Sequence, residues 1–134
     1  MIFPGGLEAA ESEVRRLSEN NQIETLAGID ALIGLSWQLW LGGIDFERAI
    51  ALSNRAESLL EKHNEPARLA YVSRNFSKLF TTQGKLVEAM FHTNRGLRLA
   101  TQLNLKELWP EIIGSLGINY WKLGKLSAAF STFQ

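Results

Sequence analysis

Apolar residues recur along this chain at intervals of three and four positions, which is the spacing of one helical face. Phe76, Ser77 and Phe80 form one such group, and residues 116–120 repeat its order of large, small and aromatic side chains. No stretch alternates between apolar and polar residues with a period of two, so no strands are predicted. The pattern predicts helices at about 6–20, 22–41, 45–62, 65–82, 85–102, 105–122 and 125–134.

A short turn sequence occurs three times. It reads "QGKLVEA" at 83–89 and "LGKLSAA" at 123–129, which is an offset of forty residues, and "GGIDFERA" at 42–49 is a third version with Ile44 as an extra residue. A fainter copy of the turn and the helix after it is carried by Gly5, Leu7, Ala10 and Leu17. We therefore divide the sequence 1–134, taken as one domain, into a half repeat at about 5–20 and units at about 22–62, 65–102 and 105–134.

Each unit is predicted to be two antiparallel helices joined by a tight bend. The glycine after the first helix supplies the left-handed backbone that ends it. Ala49, Ala89 and Ala129 recur every forty residues, six positions or fewer after the glycine, and allow the second helix to approach the first closely. One helix pair cannot cover its own apolar stripe, so neighbouring pairs must stack. The predicted fold is all-α, an α-α superhelix or solenoid of about three repeats and an N-terminal half repeat.

These residues resemble a tetratricopeptide repeat array. The resemblance is carried by Leu35, Ser36, Leu39, Gly43, Phe46, Ala49 and Ala56, by Phe76, Ser77, Phe80, Gly84, Leu86, Ala89 and Gly96, and by Leu116, Gly117, Tyr120, Gly124, Leu126 and Ala129. The period of forty differs from the family's usual thirty-four and is similar to the longer-helix variety of bacterial regulatory and signalling proteins. HEAT-like repeats share a period near forty, but they lack the turn of glycine, hydrophobic residue and alanine.

The resemblance implies a concave groove, lined by the first helix of each pair, that binds a protein or peptide. Carried over by position, the partner-binding residues are Trp37, Trp40, Tyr71, Arg74, Asn75, Lys78, Ile118, Trp121 and Lys122. The family's clamp for a C-terminal carboxylate is mostly broken, because Ile33, Trp37, Glu111 and Ser115 stand at its basic and amide positions. The competing interpretation is that the tryptophans pack between helices and the charges are solvated.

Composition excludes several classes of partner. Fourteen basic and fourteen acidic residues cancel, so no overall field attracts nucleic acid or an anionic membrane. The longest apolar run, at 31–44, is too short to span a bilayer. The sequence holds no cysteine and no recognisable signal peptide, and we therefore expect a cytoplasmic protein.

No catalytic, metal or cofactor site is predicted. His63 and His92 have no second ligand at metal spacing, and no serine lies in the context of a nucleophile elbow. Glu57, Glu61 and Glu65 follow one helical face as a solvated stripe. The sequence therefore indicates a protein that is not an enzyme.

Two functions fit this description. The first is a non-catalytic scaffold for protein or peptide interaction, as the regulatory part of a larger bacterial signalling or transcription-regulatory protein. The alternative is a domain that senses a small molecule or peptide effector and controls an attached output domain. Phe130 and Phe133 would normally be covered by a following unit, so we expect a segment of a longer protein or self-association through uncapped ends.

Overall fold

The computed structural model describes residues 6–124 and residue 132, and every regular element in this part of the chain is helical. Six α-helices are described: α1 Gly6–Glu19, α2 Leu26–Gly42, α3 Phe46–Leu60, α4 Pro66–Gln83, α5 Leu86–Gln102 and α6 Trp109–Lys122. The chain divides into two compact units, Met1–Arg68 and Leu69–Gln134, and from here on these are called the first and the second unit. Helices that follow one another pack together within each unit. The prediction of an all-α array of helical repeats is confirmed.

The repeated glycines end the first helix of each pair as predicted. Gly43 has φ 66° and Gly84 has φ 74°, both in the left-handed region where a side chain is disfavoured. The amide of Gly43 donates to Trp40 O at 3.0 Å, and the next amide donates to Leu39 O at 3.1 Å. The bend at Gly84 has the same two bonds, from Gly84 to Thr81 O and from Lys85 to Phe80 O. Both bends are therefore Schellman motifs, which satisfy the last carbonyls of the helix.

The residue before α3 provides a helix cap that the second bend lacks. Asp45 has φ 48°, and its side-chain Oδ1 accepts a hydrogen bond from the Arg48 amide at 3.2 Å. Lys85 stands at the start of α5 and makes no side-chain cap bond. Asp45 thus stabilises the start of α3 where the second unit has Lys85, and the inserted Ile44 shifts α2 by one position relative to α4.

The predicted start of α2 at residue 22 is wrong, because the helix begins four residues later. Residues 20–25 form a turn in which Asn21 has φ 55°. Thr25 then caps the helix, with its hydroxyl oxygen accepting from the Gly28 amide at 3.2 Å. A Cβ atom added at Gly28 would lie 2.1 Å from Ile23 O, so this close turn requires glycine.

The segment predicted as one helix from 105 to 122 begins with a different geometry. Asn104, with φ 56°, follows the end of α5, and Lys106–Leu108 form a single 3-10 turn. The α-helix starts only at Trp109, with Pro110 in its first turn, where a missing amide hydrogen leaves no bond unmade. The other helix ends agree with the predictions within two residues.

A buried pair of hydroxyl groups joins the two helices of each complete hairpin. In the first unit Ser36 Oγ and Ser53 Oγ are 2.7 Å apart, and Ser36 also donates to Ala49 O at 2.8 Å. In the second unit Ser77 Oγ and Thr93 Oγ1 are 2.6 Å apart, and Thr93 donates to Ala89 O at 2.6 Å. All four hydroxyl residues and both alanines are buried. Ala49 and Ala89 therefore occupy equivalent surroundings, as the repeat predicts.

The core of the second unit requires close approach at Gly96. A Cβ atom added there would lie 3.2 Å from Ile112 Cδ1 and 3.3 Å from Ser73 Cβ, which leaves little room for a side chain. Around this point lies an apolar cluster of Ala70, Leu99, Ala100, Leu108 and Ile112. The first unit has the fully buried Ala56 at the matching position, so both units keep a small residue at this crossing.

The predicted helix at 125–134, with Ala129, Phe130 and Phe133, lies outside the described residues. Within the described part, no helix has the length and apolar character that crossing a bilayer requires.

Candidate functional site

The predicted binding residues of the first unit form an aromatic pair. Trp37 and Trp40 stack with their ring centroids 4.9 Å apart and their planes inclined by 26°. Both side chains are half-buried. This agrees in part with the packing interpretation of the tryptophans, because each ring already has an aromatic neighbour.

The remaining predicted residues lie in the second unit, where side chains of α4 reach α6 and the 3-10 turn. Lys78 Nζ lies 3.2 Å from Glu111 Oε2. One turn further along, Lys122 Nζ donates to the backbone oxygen of Thr81 at 3.0 Å. We define the α4–α6 face as the surface of Tyr71, Lys78, Glu111, Ile118, Trp121 and Lys122. Its polar members are therefore held by other protein atoms before any partner arrives.

Two predicted residues lie beneath this surface. Asn75 is fully buried, and only 7% of Arg74 is exposed. The Oδ1 atom of Asn75 accepts from Nε and Nη2 of Arg74, at 3.2 and 2.9 Å. Asn75 therefore cannot contact a partner directly, and its role is to orient the buried guanidinium.

Burial changes the acid strength of the arginine. Desolvation lowers the pKa of Arg74 to about 10, although Tyr71 and Glu111 both act in the opposite direction. The side chain remains cationic at neutral pH. Its guanidinium carbon lies 5.2 Å from the centroid of the Tyr71 ring, so the aromatic face covers part of the charge.

Tyr71 connects α4 to the 3-10 turn. Its hydroxyl donates to Glu107 Oε1 at 2.8 Å. Burial, followed by this bond to the carboxylate, raises the pKa of Tyr71. The pKa of Glu107 is lowered, first by its own backbone amide and then by the Tyr71 hydroxyl. Tyr71 is thus held as a neutral donor and supplies a fixed aromatic wall.

Two apolar side chains of α6 are open to solvent beside these polar groups. Ile118 is 40% exposed and Trp121 is 64% exposed. Their spacing of three places them on one side of the helix. Glu111, seven positions before Ile118, lies on the same side. An exposed tryptophan next to ordered charges has the composition of a contact point in protein interfaces.

Sequence reasoning missed two polar residues that complete this network. Glu107 holds the hydroxyl of Tyr71, and Asn119 accepts from Thr81 Oγ1 at 3.2 Å. Asn119 is fully buried, and its Nδ2 atom has no hydrogen-bond partner among the described residues. Glu107 lies four positions before Glu111, and this helical spacing could have indicated that both belong to one face. Nothing in the sequence distinguishes Asn119 from a solvated asparagine.

The α4–α6 face has the chemistry of a binding surface. The described residues hold no group of three or more histidine, aspartate and glutamate side chains placed to bind a metal ion. What the face offers is an exposed indole, an isoleucine side chain, two lysines and one glutamate. Such groups bind apolar and charged side chains of a partner.

Comparison of the chain with protein-family models, curated proteins and solved structures finds no match.

Proposed function

We propose that this protein is a non-catalytic scaffold that binds a peptide segment of a partner protein on the α4–α6 face. The observation that carries the proposal is the exposure of Trp121 and Ile118 on the helix that also carries Lys122, together with the ammonium groups of Lys78 and Lys122, which protein atoms already hold. These residues occupy the positions that the resemblance to tetratricopeptide repeats assigns to the groove. The absence of cysteine from the sequence fits action in a reducing compartment such as the cytoplasm.

The bound segment is expected to combine an apolar side chain with a carboxylate. Covering the indole of Trp121 and the side chain of Ile118 removes apolar surface from water, which supplies most of the affinity. A carboxylate of the partner would share Lys78 with Glu111 or take up free hydrogen atoms of the Lys122 ammonium. Since these lysines are held by protein atoms, little side-chain entropy is lost on binding.

Selection from a displayed library of short random peptides tests the proposal. We expect the enriched peptides to carry an aromatic or aliphatic residue close to aspartate or glutamate. Trp121→Ala is expected to weaken their binding at least about tenfold, the usual effect of truncating an interface tryptophan. Lys122→Gln is expected to weaken acidic peptides more than neutral ones, and both effects are measured by fluorescence anisotropy.

Leu41→Ala serves as the matched control, because Leu41 is 55% exposed but lies in the first unit. It is expected to leave binding unchanged. Peptides that bind wild type, Trp121→Ala and Lys122→Gln with equal affinity would contradict the proposal. A saturable Trp121 fluorescence response to a small metabolite, with no peptide enriched, would favour the sensing alternative instead.

A further inference from the structure

A second exposed surface lies on α5 and shares no residue with the α4–α6 face. Val87 is 80% exposed and Phe91 is 61% exposed, and their spacing of four places them on one side of the helix. Phe91 also borders a shallow cavity of about 380 Å³ whose other lining residues are Asn94, Arg95 and Arg98. We call Val87, Phe91, Asn94, Arg95 and Arg98 the α5 patch.

The internal repeat shows that the fold does not require apolar residues at these positions. The residues matching Val87 and Phe91 are Glu8 and Ser12 in the half repeat, Glu47 and Ala51 in the first unit, and Ser127 and Ser131 in the last copy of the sequence. All four of the matching residues on α1 and α3 are exposed. Of the four copies, only α5 places a branched aliphatic and an aromatic side chain in this exposed pair. Repeat packing therefore does not explain the pair, and a binding role does.

The arginine beside Phe91 is held in position. Arg95 Nε donates to Ser73 Oγ at 2.7 Å, and its guanidinium carbon lies 5.7 Å from the centroid of the Phe91 ring. Arg98 is exposed and makes no ion pair with another described residue. An exposed aromatic ring with two neighbouring guanidinium groups is a combination enriched at the energetic centres of interfaces.

We propose that the α5 patch docks an amphipathic helix of a partner protein that carries acidic residues beside an apolar stripe. The patch follows α5 for about three turns, roughly 17 Å, and a helix packed alongside matches this length and periodicity. Arg95 and Arg98 outnumber Glu88, the one acidic residue of α5, so the charge around the patch is positive and acidic residues of the partner are complementary. If a second copy of the patch were the partner, four arginines would face two glutamates, and like charges would repel.

A displayed library of helical peptides, varied on one face over Leu, Phe, Asp, Glu, Lys and Arg, tests this assignment. Enriched peptides are expected to pair leucine or phenylalanine with acidic rather than basic flanks. Binding is expected to fall at least tenfold with Phe91→Ser and with Arg98→Glu, and to fall several-fold with Val87→Ser. Arg55→Glu on α3, at the position matching Arg95, is the control that leaves binding unchanged.

Far-ultraviolet circular dichroism of each variant confirms that a loss of binding is not a loss of fold. Failure to enrich any peptide, enrichment of basic peptides, or binding by Phe91→Ser and Arg98→Glu that equals wild-type binding would overturn the assignment. A concentration-dependent dimer that Phe91→Ser abolishes in sedimentation would also overturn it, because the occupant would then be a second copy. Trp121→Ala is expected to retain helix binding, which separates this test from that of the α4–α6 face.

Discussion

The first helices of the two hairpins share a scaffold but differ on the face that does not build it. Ser36 and Ser77 are buried at the same position, and each bonds a hydroxyl of the helix that follows. Forty-one residues separate the two, and at this offset Ile33 of α2 corresponds to Arg74 of α4. The same offset matches Trp37 with Lys78, whereas the hydroxyl contact is kept.

This difference separates the residues that define the fold from those available for recognition. The Schellman bends, the small residues at the helix crossing and the hydroxyl pair recur in both units. The face of α2 is instead aromatic and aliphatic, and the face of α4 is cationic and amide-bearing. The two faces therefore differ in chemistry while these packing contacts recur, and the proposed binding function rests on the polar face of α4.

Placing an arginine in α2, at the position that matches Arg74 of α4, is expected to have the largest effect. Ile33 is fully buried, and its neighbour Gly34 has no side chain that could accept from a guanidinium as Asn75 does. Ile33→Arg should therefore lower the free energy of unfolding by more than about 4 kcal/mol, measured by urea denaturation. Ile33→Met, as a control of similar volume, should cost less than about 1.5 kcal/mol. A charged variant as stable as the control would show that α2 accepts charge as α4 does.

The turn before α2 is a second difference between the two units. A side chain at Gly28 would collide with Ile23 O, whereas Leu69 stands at the matching position of the second unit. Gly28→Ala is expected to lower the free energy of unfolding by about 2–3 kcal/mol, since backbone rather than a flexible side chain must move. Gly114→Ala is the control, because a Cβ atom at Gly114 meets nothing within 4 Å. That change should raise stability by up to about 1 kcal/mol, since alanine favours helix. Equal thermal shifts for both variants would contradict the requirement for glycine at 28.

The smallest effect concerns an ion pair found in the first unit. Arg48 donates to both carboxylate oxygens of Glu11, whereas Glu88 occupies the position of Arg48 in the second unit. The bond from Arg48 lowers the pKa of Glu11 below its ordinary value of 4.5. The stability from this pair is thus fully present above pH 4.5 and is lost as the pH falls through the lowered pKa.

Arg48→Ala is expected to cost less than about 1 kcal/mol at neutral pH, because solvent screens this partly exposed pair. The melting temperatures of variant and wild type should converge as the pH approaches about 2. Arg55→Ala, which removes an exposed arginine of α3 without an ion pair to another described residue, should show no such dependence. A difference that persists in acid would mean that Arg48 acts through packing of its aliphatic stem.

The helices and their bends were predictable because they follow from local chemistry. A glycine that follows the last apolar residue of a helix, as Gly43 and Gly84 do, indicates the left-handed backbone that ends the helix. The turn at 20–25 was missed because Ile23 extends the apolar spacing of α2, and only the close approach of Gly28 to the Ile23 carbonyl shows that the helix starts later. Periodicity gives the face of a helix but not which of its turns remains in solvent.

The helices that carry the candidate residues were predictable, but the depth of each side chain was not. Trp121 is exposed and Lys78 is half-buried, whereas the sequence does not show that Arg74 and Asn75 lie below the surface. Burial of a charged side chain depends on which neighbours cover it, here the ring of Tyr71 among them. The pairing of Tyr71 with Glu107 likewise spans 36 positions and depends on how the 3-10 turn approaches α4.

The hydroxyl contact between paired helices also restricts how the repeats can diverge. Replacing one partner alone strands a hydrogen-bonding group inside the protein, so the two positions are expected to mutate jointly during evolution. The last copy of the sequence already shows such a joint replacement, with Gly117 in place of the serine and Phe133 in place of the threonine. Covariation between these two columns should therefore identify duplicated hairpins in diverged descendants even after the surface has lost all resemblance.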